Sequence, residues 1–378
     1  MGFLPDKNAV ACREQAFGHI AQKVGYTPVL IGISENIPFK AFEKSCFCGI
    51  DCYNVKYAKT IAEKIQDTYS IEKTLIRILE DIGIERIKCF IMQDYQLRPM
   101  KKMLKYCNAH GIGFAADVMD WFTPSRDYPL VKNVFKTIDT YIRMHRFYPA
   151  LNNKICITHK FQRHFCKSVQ KNILVLPCTC KDAAALSCGA VDEKKNITLT
   201  FAGFLGRKCE KEKLDWLIRA MYENESTIHL NIIGLTRESF LTKMPSFADK
   251  ITERIHFYGY LPRQACLGIL EQSDFAVVVR KKNKVTEYGF SSKICEAFAH
   301  GIPVIATDTS DNTLYIADDV NGYVCDANYG ALKSLLQKIE MLDREKIQQL
   351  RRNVCDENPL SVERYVDAFS DFMKKLYV

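Results

Sequence analysis

Residues 287–311 read EYGFSSKICEAFAHGIPVIATDTSD, and this segment joins a helical pattern to the pattern of a buried strand. Apolar residues at helical spacing predict a helix over 292–300, and Gly301 fits just past its end. The apolar run 304–307 then predicts a short buried strand. A helix that leads directly into a buried strand is typical of an α/β domain with a parallel sheet.

The start of this helix has its own chemical character. Gly289 predicts a flexible turn before it, and Ser291 or Ser292 is the expected N-cap. Lys293 follows, and the unpaired amides of a helix N-terminus bind anions readily. The stretch therefore predicts either an ordinary helix–strand unit or a phosphate site, and by itself it does not distinguish them.

The same alternation of strands and helices runs through both halves of the chain. Residues 39–53 are less regular than the rest. In the first half, strands are predicted over 28–33, 87–92, 112–116, 155–157 and 173–176. In the second half, they are predicted over 197–201, 228–233, 255–258, 275–279 and 304–307. Such alternation predicts two doubly wound, Rossmann-like domains.

The domain boundary is predicted at a polar connection. We expect one domain over 1–180, a linker over 181–195, and a second domain over 196–355. An amphipathic helix is expected within the final segment, 356–378. Residues 1–5 are expected to contribute only the tail of a first strand.

Composition points to a globular protein with a reduced interior. The chain has 378 residues, of which 47% are hydrophobic and 26% are charged, and its sixteen cysteines are scattered through apolar segments. The groups Cys46, Cys48 and Cys52, and Cys178 and Cys180, fit no zinc-binding spacing. No apolar run approaches the ~20 residues of a membrane span. We expect no metal, no cofactor, no signal peptide and a cytoplasmic location.

Charge is distributed unevenly between the halves. Residues 1–180 hold 26 Lys and Arg against 16 Asp and Glu, whereas residues 181–378 hold 27 against 28. The positive excess of the first half is either a solvated face or a surface for an anionic partner. Peripheral association with the inner face of the cell membrane is therefore one expectation. Nucleic acid is not expected, because no aromatic-rich or recognised binding motif accompanies the charge.

Basic and glycine residues follow two strands of the second domain. Residues 203–208, GFLGRK, come directly after its first strand, and Arg280 ends its fourth. Because carboxyl ends of parallel strands meet at one sheet edge, these residues and the helix start predict a diphosphate site. Glu296 is an acceptor suited to ribose hydroxyls. The predicted donor-binding residues are Gly203, Gly206, Arg207, Lys211, Arg280, Gly289, Phe290, Ser291, Ser292, Lys293 and Glu296.

Two carboxylates follow a strand of the first domain. Asp117 and Asp120 come directly after the predicted strand 112–116, where α/β folds place ligands. They are either site residues or members of a capping or surface loop.

A series of motifs then resembles the second domain of family 4 glycosyltransferases, most closely the bacterial branch that builds surface polysaccharides. The motifs are GFLGRK (203–208), HFYGYLP (256–262), DFAVVVR (274–280), GFSSKICEAFAHGIPVIATDTSD (289–311) and NGYV (321–324). The resemblance covers about residues 197–326. The first domain matches more loosely, through LPDKNAVACR (4–13), DVMDWF (117–122) and ICITHKFQRHF (155–165).

The resemblance implies a GT-B fold, with two facing domains and a last helix that crosses back to the first. It implies metal-independent sugar transfer from a UDP- or GDP-linked donor, with retention of configuration, to a glycan or lipid-linked acceptor bound by the first domain. On this basis the predicted catalytic residues are Asp117, Asp120, Arg207 and Lys208. The predicted acceptor-binding residues are Asp6, Asn8, Arg13 and Trp121.

The sequence departs from the family pattern at one acidic position. Family members often carry two glutamates with seven residues between them, and Glu296 matches the second. Tyr288 stands at the position of the first, with Glu287 one place away. The second member of the family's basic pair stays open among Lys208, Lys211 and Lys213. A degenerate nucleotide-sugar-binding subunit and an epimerase of the same fold are therefore alternatives to a transferase.

Overall fold

We describe a computed structural model of the chain. The structure describes residue 2 and residues 9–47, 49–124, 130–166, 171–180, 196–203, 205 and 211–377. The chain divides into two compact units, one formed by residues 1–181 with 362–378 and the other by residues 182–361. In the described residues, no helix is long and apolar enough to cross a membrane.

The first unit contains a small mixed sheet and a parallel sheet. Its strands are β1 (Val29–Ser34), β2 (Phe42–Phe47), β3 (Ile50–Lys56), β4 (Cys89–Gln93), β5 (Gly113–Val118), β6 (Asn153–Cys156) and β7 (Asn172–Val175). The mixed sheet has the order β1-β3-β2, with β1 parallel and β2 antiparallel to β3. The other sheet has the order β4-β5-β6-β7, and all its pairs are parallel.

Helices connect these strands as the alternating pattern predicts. They are α1 (Ala9–Lys23), α2 (Ile61–Ile82), α3 (Leu97–Ala109), α4 (Leu130–Ile142), α5 (Tyr148–Ala150) and α6 (His159–Phe165). A capping box formed by Thr60 and Glu63 begins α2, and it satisfies amides that the helix itself leaves unpaired. A π-helical turn, Arg143–Phe147, joins α4 to α5.

The prediction of an irregular segment over 39–53 is wrong, because β2 and β3 form an antiparallel pair there. Most of β2 is exposed, including Glu43, Lys44 and Ser45. A strand that buries so little carries no alternating apolar pattern, so its sequence lacks the usual period of two.

The second unit is built on one parallel sheet. Its strands are β8 (Thr198–Ala202), β9 (His229–Ile233), β10 (Ile255–Gly259), β11 (Phe275–Val278), β12 (Val304–Thr307) and β13 (Gly322–Cys325). Its helices are α7 (Leu214–Glu223), α8 (Arg237–Lys243), α9 (Arg263–Glu271), α10 (Lys284–Tyr288), α11 (Ser292–Ala299), α12 (Asn312–Tyr315), α13 (Tyr329–Glu340) and α14 (Arg344–Asp356). The predicted α/β class is confirmed.

The order of this sheet sets where a ligand can bind. The strands lie in the order β10-β9-β8-β11-β12-β13, so the connections change direction between β8 and β11. Apolar side chains from these strands, such as Phe201 and Val277, are fully buried in the core. Doubly wound sheets bind ligands beyond the carboxyl ends of the strands at such a switch point.

The stretch 287–311 folds largely as expected. Ser291 is the N-cap of α11, and Gly301 ends the helix with φ +66°, a conformation that glycine adopts easily. Gly289 lies in a bend between α10 and α11, but this bend does not use the conformational freedom of glycine. The φ of Gly289 is −86°, which any residue can adopt, and it ends the short helix α10, which the sequence pattern did not reveal.

The last helix, α15 (Val366–Lys374), belongs to the first unit. Phe369 and Phe372 are buried in the same core as Phe17 and Ile20 of α1. The side chain of Asn172 donates to the carbonyl oxygen of Phe372 at 2.9 Å, which ties α15 to β7. The chain therefore ends in the unit in which it begins.

Candidate active site

A buried charge cluster lies beyond β8 and β11, at the switch point of the second unit. Glu212 is 5% exposed, and its Oε1 accepts hydrogen bonds from Nε and Nη2 of Arg280 at 3.1 and 2.8 Å. Nζ of Lys293 lies 3.1 Å from the same oxygen. Two cations therefore share one carboxylate oxygen, and the cluster carries a net positive charge.

Backbone pairing places these side chains. Glu212 forms an isolated antiparallel bridge with Arg280, and the amide of Lys213 donates to the carbonyl oxygen of Val279 at 2.8 Å. The hydroxyl of Thr307 both accepts from the amide of Arg280 and donates to its carbonyl oxygen, each at 2.8 Å. Arg280 is thus held by β12 on one side and by the segment before α7 on the other.

The cluster leaves one acceptor unused. Oε2 of Glu212 is buried, and it has no hydrogen-bond partner in the described part of the chain. Burial alone would raise the pKa of Glu212, but the charges of Arg280 and Lys293 outweigh burial and lower it to about 2. The carboxylate is therefore ionised at neutral pH.

Lys293 occupies a restricted position at the start of α11. Its Nζ lies 5.1 Å from the ring centroid of Phe201, and a Cβ built on Gly203 would come within 2.5 Å of that Nζ. A side chain at position 203 would therefore require the ammonium group of Lys293 to shift. Desolvation lowers the pKa of Lys293 to about 8, although Glu212 acts in the opposite direction.

The N-terminus of α11 opens beside Lys293. Ser291 is the N-cap, but its side chain makes no capping hydrogen bond. Its hydroxyl oxygen is buried without a partner among the described residues. A buried hydroxyl, a lysine and unpaired helix amides together form an arrangement that suits a phosphate group.

Glu296 lies one turn further along α11 and is partly exposed. Its Oε1 is 2.6 Å from Nη1 of Arg263, the first residue of α9. Half-exposed pairs of this kind contribute little to stability, so Glu296 can exchange this partner for a ligand hydroxyl at small cost. Its predicted role at the ribose stays a prediction.

The acidic residue next to Tyr288 contacts a neighbouring loop. Oε1 of Glu287 lies 3.4 Å from the amide nitrogen of Ser310, which follows β12. Phe290 is buried and packs edge-on against Tyr315, with 5.3 Å between the ring centroids. Glu287 therefore links α10 to the loop that follows β12.

Several predicted residues lie outside the described part of the chain. They are Asp6, Asn8, Gly206, Arg207 and Lys208. Lys211 is exposed, and its charge contributes to the lowered pKa of Lys293. Of the basic candidates that are described, Lys213 instead pairs with Asp215 at 2.9 Å.

In the first unit, two predicted site residues pair with each other. Nε and Nη2 of Arg13 donate to the two carboxylate oxygens of Asp117 at 2.9 and 2.7 Å, and both side chains are buried. Nη1 of Arg13 donates to the carbonyl oxygen of Pro177 at 2.7 Å. The pair joins α1, β5 and the segment after β7. The predicted roles of Asp117 in catalysis and of Arg13 at the acceptor stay predictions.

The loop after β5 carries the other two candidates. Asp120 is exposed, whereas Trp121 is 5% exposed and stacks on Phe161 with 6.1 Å between ring centroids. His145 and His164 approach Trp121 edge-on, with centroid distances of 5.7 and 5.0 Å. Among the described residues of this loop, Asp120 is the exposed carboxylate.

The sequence did not indicate a second buried network at the end of β4. Arg143 contacts Asp94, and its Nε donates to Asp139 at 2.6 Å. The hydroxyl of Tyr148 donates to Asp94 at 2.5 Å. Burial raises the pKa of Asp94, while Arg143 and Tyr148 oppose that shift. A π-helical turn brings these residues together, and such turns are frequent at functional sites.

Glu212 was not among the predicted site residues either, because the sequence pattern around it indicates a site only weakly. It is one of several alternating acidic and basic residues in 210–213, a pattern that usually marks a solvated turn. Among the described residues, no group of three or more His, Cys, Asp or Glu side chains could hold a metal ion.

Comparison with known proteins identifies the domain that carries the charge cluster. Residues 197–342 match the family model described as glycosyl transferases group 1. A search of curated proteins finds no match. The matched residues contain the charge cluster and α11.

Solved structures resemble the chain over nearly its full length. Sucrose-phosphate synthase from Thermosynechococcus elongatus has a TM-score of 0.69 and 12% identity, covering 96% of this chain and 92% of that one. An E. coli structure described as trehalose-6-phosphate bound with UDP-2-fluoro glucose has a TM-score of 0.66 and 10% identity, covering 98% and 97%. Anabaena HepE in complex with UDP and glucose has a TM-score of 0.60 and 11% identity, covering 96% of each chain. The comparisons support a glycosyltransferase, and they confirm the predicted GT-B fold.

Proposed function

We propose that the protein is a retaining glycosyltransferase of family 4. It transfers a sugar from a UDP- or GDP-linked donor to a glycan or lipid-linked acceptor, in the synthesis of a cell-surface polysaccharide. The observation that carries the proposal is the cluster of Glu212, Arg280 and Lys293 beside the N-terminus of α11. Its net positive charge lies at the switch point of a doubly wound sheet, where such folds bind nucleotides.

The charge cluster can stabilise the nucleoside diphosphate as it leaves the donor sugar. As the bond to the anomeric carbon breaks, negative charge grows on the leaving phosphate oxygens. Lys293, the hydroxyl of Ser291 and the amides of α11 are positioned to stabilise that charge. Arg207 and Lys208 are proposed to add to this stabilisation. No metal ion is assigned to the reaction.

The sequence predicts that Arg280 binds the diphosphate of the donor. We propose a different role for it. Its guanidinium is almost fully buried against Glu212. We propose that Arg280 contributes to the positive potential of the site and holds Glu212 in place. Glu212 in turn orients Lys293. Direct contact with phosphate is assigned to Lys293 and Ser291.

The acceptor is proposed to bind at the carboxyl edge of the parallel sheet of the first unit. Asp120 is exposed there, and it is the proposed partner for sugar or acceptor hydroxyls. Trp121 supports its loop by packing against Phe161, and the pair of Arg13 and Asp117 fixes the end of β5. We propose that the acceptor hydroxyl attacks the anomeric carbon on the face from which the diphosphate leaves, and that a leaving phosphate oxygen accepts the proton of this hydroxyl.

A lipid-linked acceptor fits one surface of the first unit, and it would place the protein in the cytoplasm at the inner membrane face. Helix α4 exposes large apolar side chains, and its Phe135 is 70% exposed. Lys132 and Lys136 lie on the same helix. Apolar and basic groups on one helix favour contact with an anionic lipid surface. The exposed apolar residues of α4 are Leu130, Val131, Val134, Phe135, Ile138 and Tyr141.

Vesicle flotation tests the lipid surface. A Leu130→Ser/Phe135→Ser variant is expected to bind anionic vesicles about tenfold more weakly or worse than the unaltered chain, because two apolar anchors are lost. Met341→Ser removes an exposed apolar side chain of the second unit and is the matched control. Equal binding by all three proteins would remove membrane association from the proposal.

Product analysis tests the transferase itself. The purified protein is incubated with UDP- and GDP-linked sugars, with and without a lipid-extracted acceptor fraction, and the products are separated. Transfer of the sugar with its anomeric configuration retained is the expected result. Conversion of the donor without an acceptor would indicate an epimerase, and donor binding without any product would indicate a degenerate binding subunit.

A further inference from the structure

The loop after β12 begins beside the charge cluster of the second unit. Strands β11 and β12 are parallel neighbours, so their carboxyl ends lie at the same sheet edge. Thr307, the last residue of β12, holds both the amide and the carbonyl oxygen of Arg280 through its hydroxyl, at 2.8 Å each. Ser310 and Asn312 follow in the loop 308–312. This loop therefore starts from a residue that contacts the cluster.

The same loop contacts the segment that leads into α11. The amide nitrogen of Ser310 lies 3.4 Å from Oε1 of Glu287, in the last turn of α10. Phe290 packs edge-on against Tyr315, with 5.3 Å between the ring centroids, and it directly precedes the N-cap Ser291. These two contacts hold the loop region beside the start of α11, where the diphosphate is proposed to bind.

Two side chains of this loop contain buried oxygens that have no partner among the described residues. They are Oγ of Ser310 and Oδ1 of Asn312. Asn312 is 1% exposed, and its Nδ2 donates to the carbonyl oxygen of Thr307 at 2.9 Å, which fixes the orientation of Oδ1. Ser291 and Glu212 contain further buried oxygens of this kind at the same sheet edge. Because buried polar atoms nearly always have partners in native proteins, this edge offers hydrogen bonds to a polar ligand.

The backbone of Ser310 is strained. Its φ is +59°, a left-handed conformation that residues other than glycine seldom adopt. Glycine would adopt it without steric cost, but glycine has no hydroxyl. Residues held in sparsely populated conformations cluster at active sites and around ligands. The hydroxyl is the group that a serine retains at this position at the cost of strain.

The chemical character of this part of the edge differs from that of the charge cluster. Nζ of Lys282 lies 2.6 Å from Oδ2 of Asp308, and this hydrogen bond raises the pKa of Lys282. The charges of Glu287 and Asp326 act in the same direction. Three carboxylates therefore lie near one lysine here, whereas two cations share one carboxylate oxygen at the cluster. A diphosphate suits the cluster, and hydroxyl groups, which donate to carboxylates, suit this part of the edge.

We propose that Glu287, Ser310 and Asn312 form a subsite for the hydroxyl groups of the donor sugar, and that this sugar is neutral. The carboxylate of Glu287 and Oδ1 of Asn312 accept from sugar hydroxyls, and the hydroxyl of Ser310 donates or accepts. The contact of 3.4 Å between Glu287 and the amide of Ser310 is long for a hydrogen bond, so a sugar hydroxyl replaces it at small cost. The charge of Glu287 disfavours a sugar that carries a carboxylate.

This inference rests on the proposed transferase, because it assumes a nucleoside diphosphate beside Lys293. It adds the class of the donor sugar and the residues that select it.

The test compares sugar nucleotides with their own nucleoside diphosphates. Isothermal titration calorimetry measures the dissociation constants of UDP, GDP, UDP-glucose, UDP-galactose and GDP-mannose. At least one sugar nucleotide is expected to bind the unaltered chain more tightly than its nucleoside diphosphate. In Ser310→Ala and in Glu287→Gln, that sugar nucleotide should bind about 5–10-fold more weakly, while the affinity for the nucleoside diphosphate stays within about twofold.

Asn312→Ala is judged by the ratio of the same two dissociation constants. This substitution also removes the hydrogen bond to Thr307, so part of the protein can unfold. Unfolded protein affects both titrations equally and leaves the ratio unchanged. The ratio should therefore move toward one, as in Ser310→Ala.

Ser310→Gly separates the hydroxyl from the strained backbone. It removes the hydroxyl and relieves the positive φ, so it should lose the preference for the sugar nucleotide without a lower unfolding midpoint. Glu225→Gly is the matched control, because Glu225 also has a positive φ, +50°, but is exposed in the segment after α7. It should keep the preference of the unaltered chain. Retention of the preference in Ser310→Gly would overturn the role of the hydroxyl.

A uronate tests the charge of the subsite. The neutral sugar nucleotide that binds most tightly is compared with the same sugar nucleotide oxidised to a carboxylate at C6. The uronate should bind at least about tenfold more weakly, and Glu287→Gln should narrow that difference. Equal binding of the two compounds would overturn the preference for a neutral sugar.

The outcomes distinguish failure of the subsite from failure of the proposed function. If neither UDP nor GDP binds, the diphosphate site fails and the sugar subsite fails with it. If they bind, but no sugar nucleotide binds more tightly than its nucleoside diphosphate, the subsite alone is overturned. The same conclusion follows if the substitutions weaken both kinds of ligand equally.

Discussion

Nζ of Lys293 lies 3.1 Å from Oε1 of Glu212, the same oxygen that accepts from Nη2 of Arg280 at 2.8 Å. One buried carboxylate oxygen therefore holds two cations from two elements of the sheet edge. The carboxylate of Glu212 neutralises part of the positive charge of Arg280 and Lys293. Without Glu212, the phosphates of a bound diphosphate would neutralise that charge. Glu212 offsets one of the two positive charges, and the net positive charge that remains suits an anionic ligand.

The compensating role of Glu212 can be separated from its structural role. In Glu212→Gln, Arg280 and Lys293 lose their buried counter-charge, and we expect a loss of about 3–5 kcal/mol in the free energy of unfolding. UDP should then raise the unfolding midpoint of the variant by more degrees than that of the unaltered chain, because its phosphates replace the missing charge. Thermal unfolding with and without UDP measures both effects.

Glu223→Gln is the matched control for this experiment. Glu223 also pairs with one arginine and one lysine, Arg219 and Lys333, but on the surface of α7. Its substitution should change stability much less and leave the UDP-induced shift unaltered. If Glu212→Gln responds to UDP no more than this control does, the diphosphate does not bind at the cluster.

The lowered pKa of Lys293 predicts how donor binding depends on pH. Lys293 is charged below its pKa of about 8 and neutral above it, and the charged form is the one that attracts phosphate. The affinity for UDP should therefore be highest below pH 8 and fall as the pH rises through 8 toward 10. Isothermal titration calorimetry across this range measures the dissociation constant.

Substitution of the lysine should remove that pH dependence. In Lys293→Met we expect weaker UDP binding, with kcat/KM lowered by about 10²-fold or more, and no change in affinity between pH 7 and 9. Lys338→Met, which removes an exposed lysine that pairs with Asp319 on the same unit, should retain the profile of the unaltered chain. A profile that persists in Lys293→Met would assign the titration to another group.

Glu296 is expected to recognise the ribose. Glu296→Gln should weaken binding of UDP about tenfold, because it loses the charge of its hydrogen bonds to the hydroxyls. Binding of 2′-deoxy-UDP should change much less, since one of those hydroxyls is absent. Arg263→Gln, which removes the arginine that pairs with Glu296, should leave the affinity for UDP the same or slightly higher. Equal losses for the two nucleotides in Glu296→Gln would place its effect away from the ribose.

The buried pair of Arg13 and Asp117 predicts non-additive stability effects. Arg13→Met or Asp117→Leu alone leaves an unpaired buried charge, so each should cost about 3–5 kcal/mol of unfolding free energy. The double substitution should be much less destabilising than the sum of the two single ones. Urea unfolding of the four proteins measures the coupling. Lys23→Met, which breaks the exposed pair with Glu363, should have a small effect.

Much of the fold follows from local patterns in the sequence. Helix α11 and strand β12 lie within 287–311 as expected, and Gly301 ends the helix with a positive φ. The alternation of strands and helices also predicts the parallel sheets, because apolar spacing and helix-ending residues act over a few positions. The exception is β2, which buries too little for its period to be visible.

The candidate site is only partly visible from the sequence. Gly203, Arg280 and Lys293 are brought together because each follows a strand or begins a helix at one sheet edge, a placement that element order predicts. Glu212 could not be found in this way, since an acidic residue in a charged turn usually faces solvent. Glu296 was expected at the ribose because it matches the second glutamate of the family pattern. Its contact with Arg263 could not be expected, because it depends on how α9 packs.

By itself, the sequence determined the α/β class, the parallel strands and the sheet edge where charged groups collect, because these depend on spacing along the chain. The tertiary structure alone decided the partners. Glu212 and Arg280 are separated by 68 residues, and Arg13 and Asp117 by 104. The pairing of charged side chains depends on the order of the strands and on how deeply each side chain is buried. Burial matters because charges attract strongly only where water is excluded. No local pattern encodes that depth.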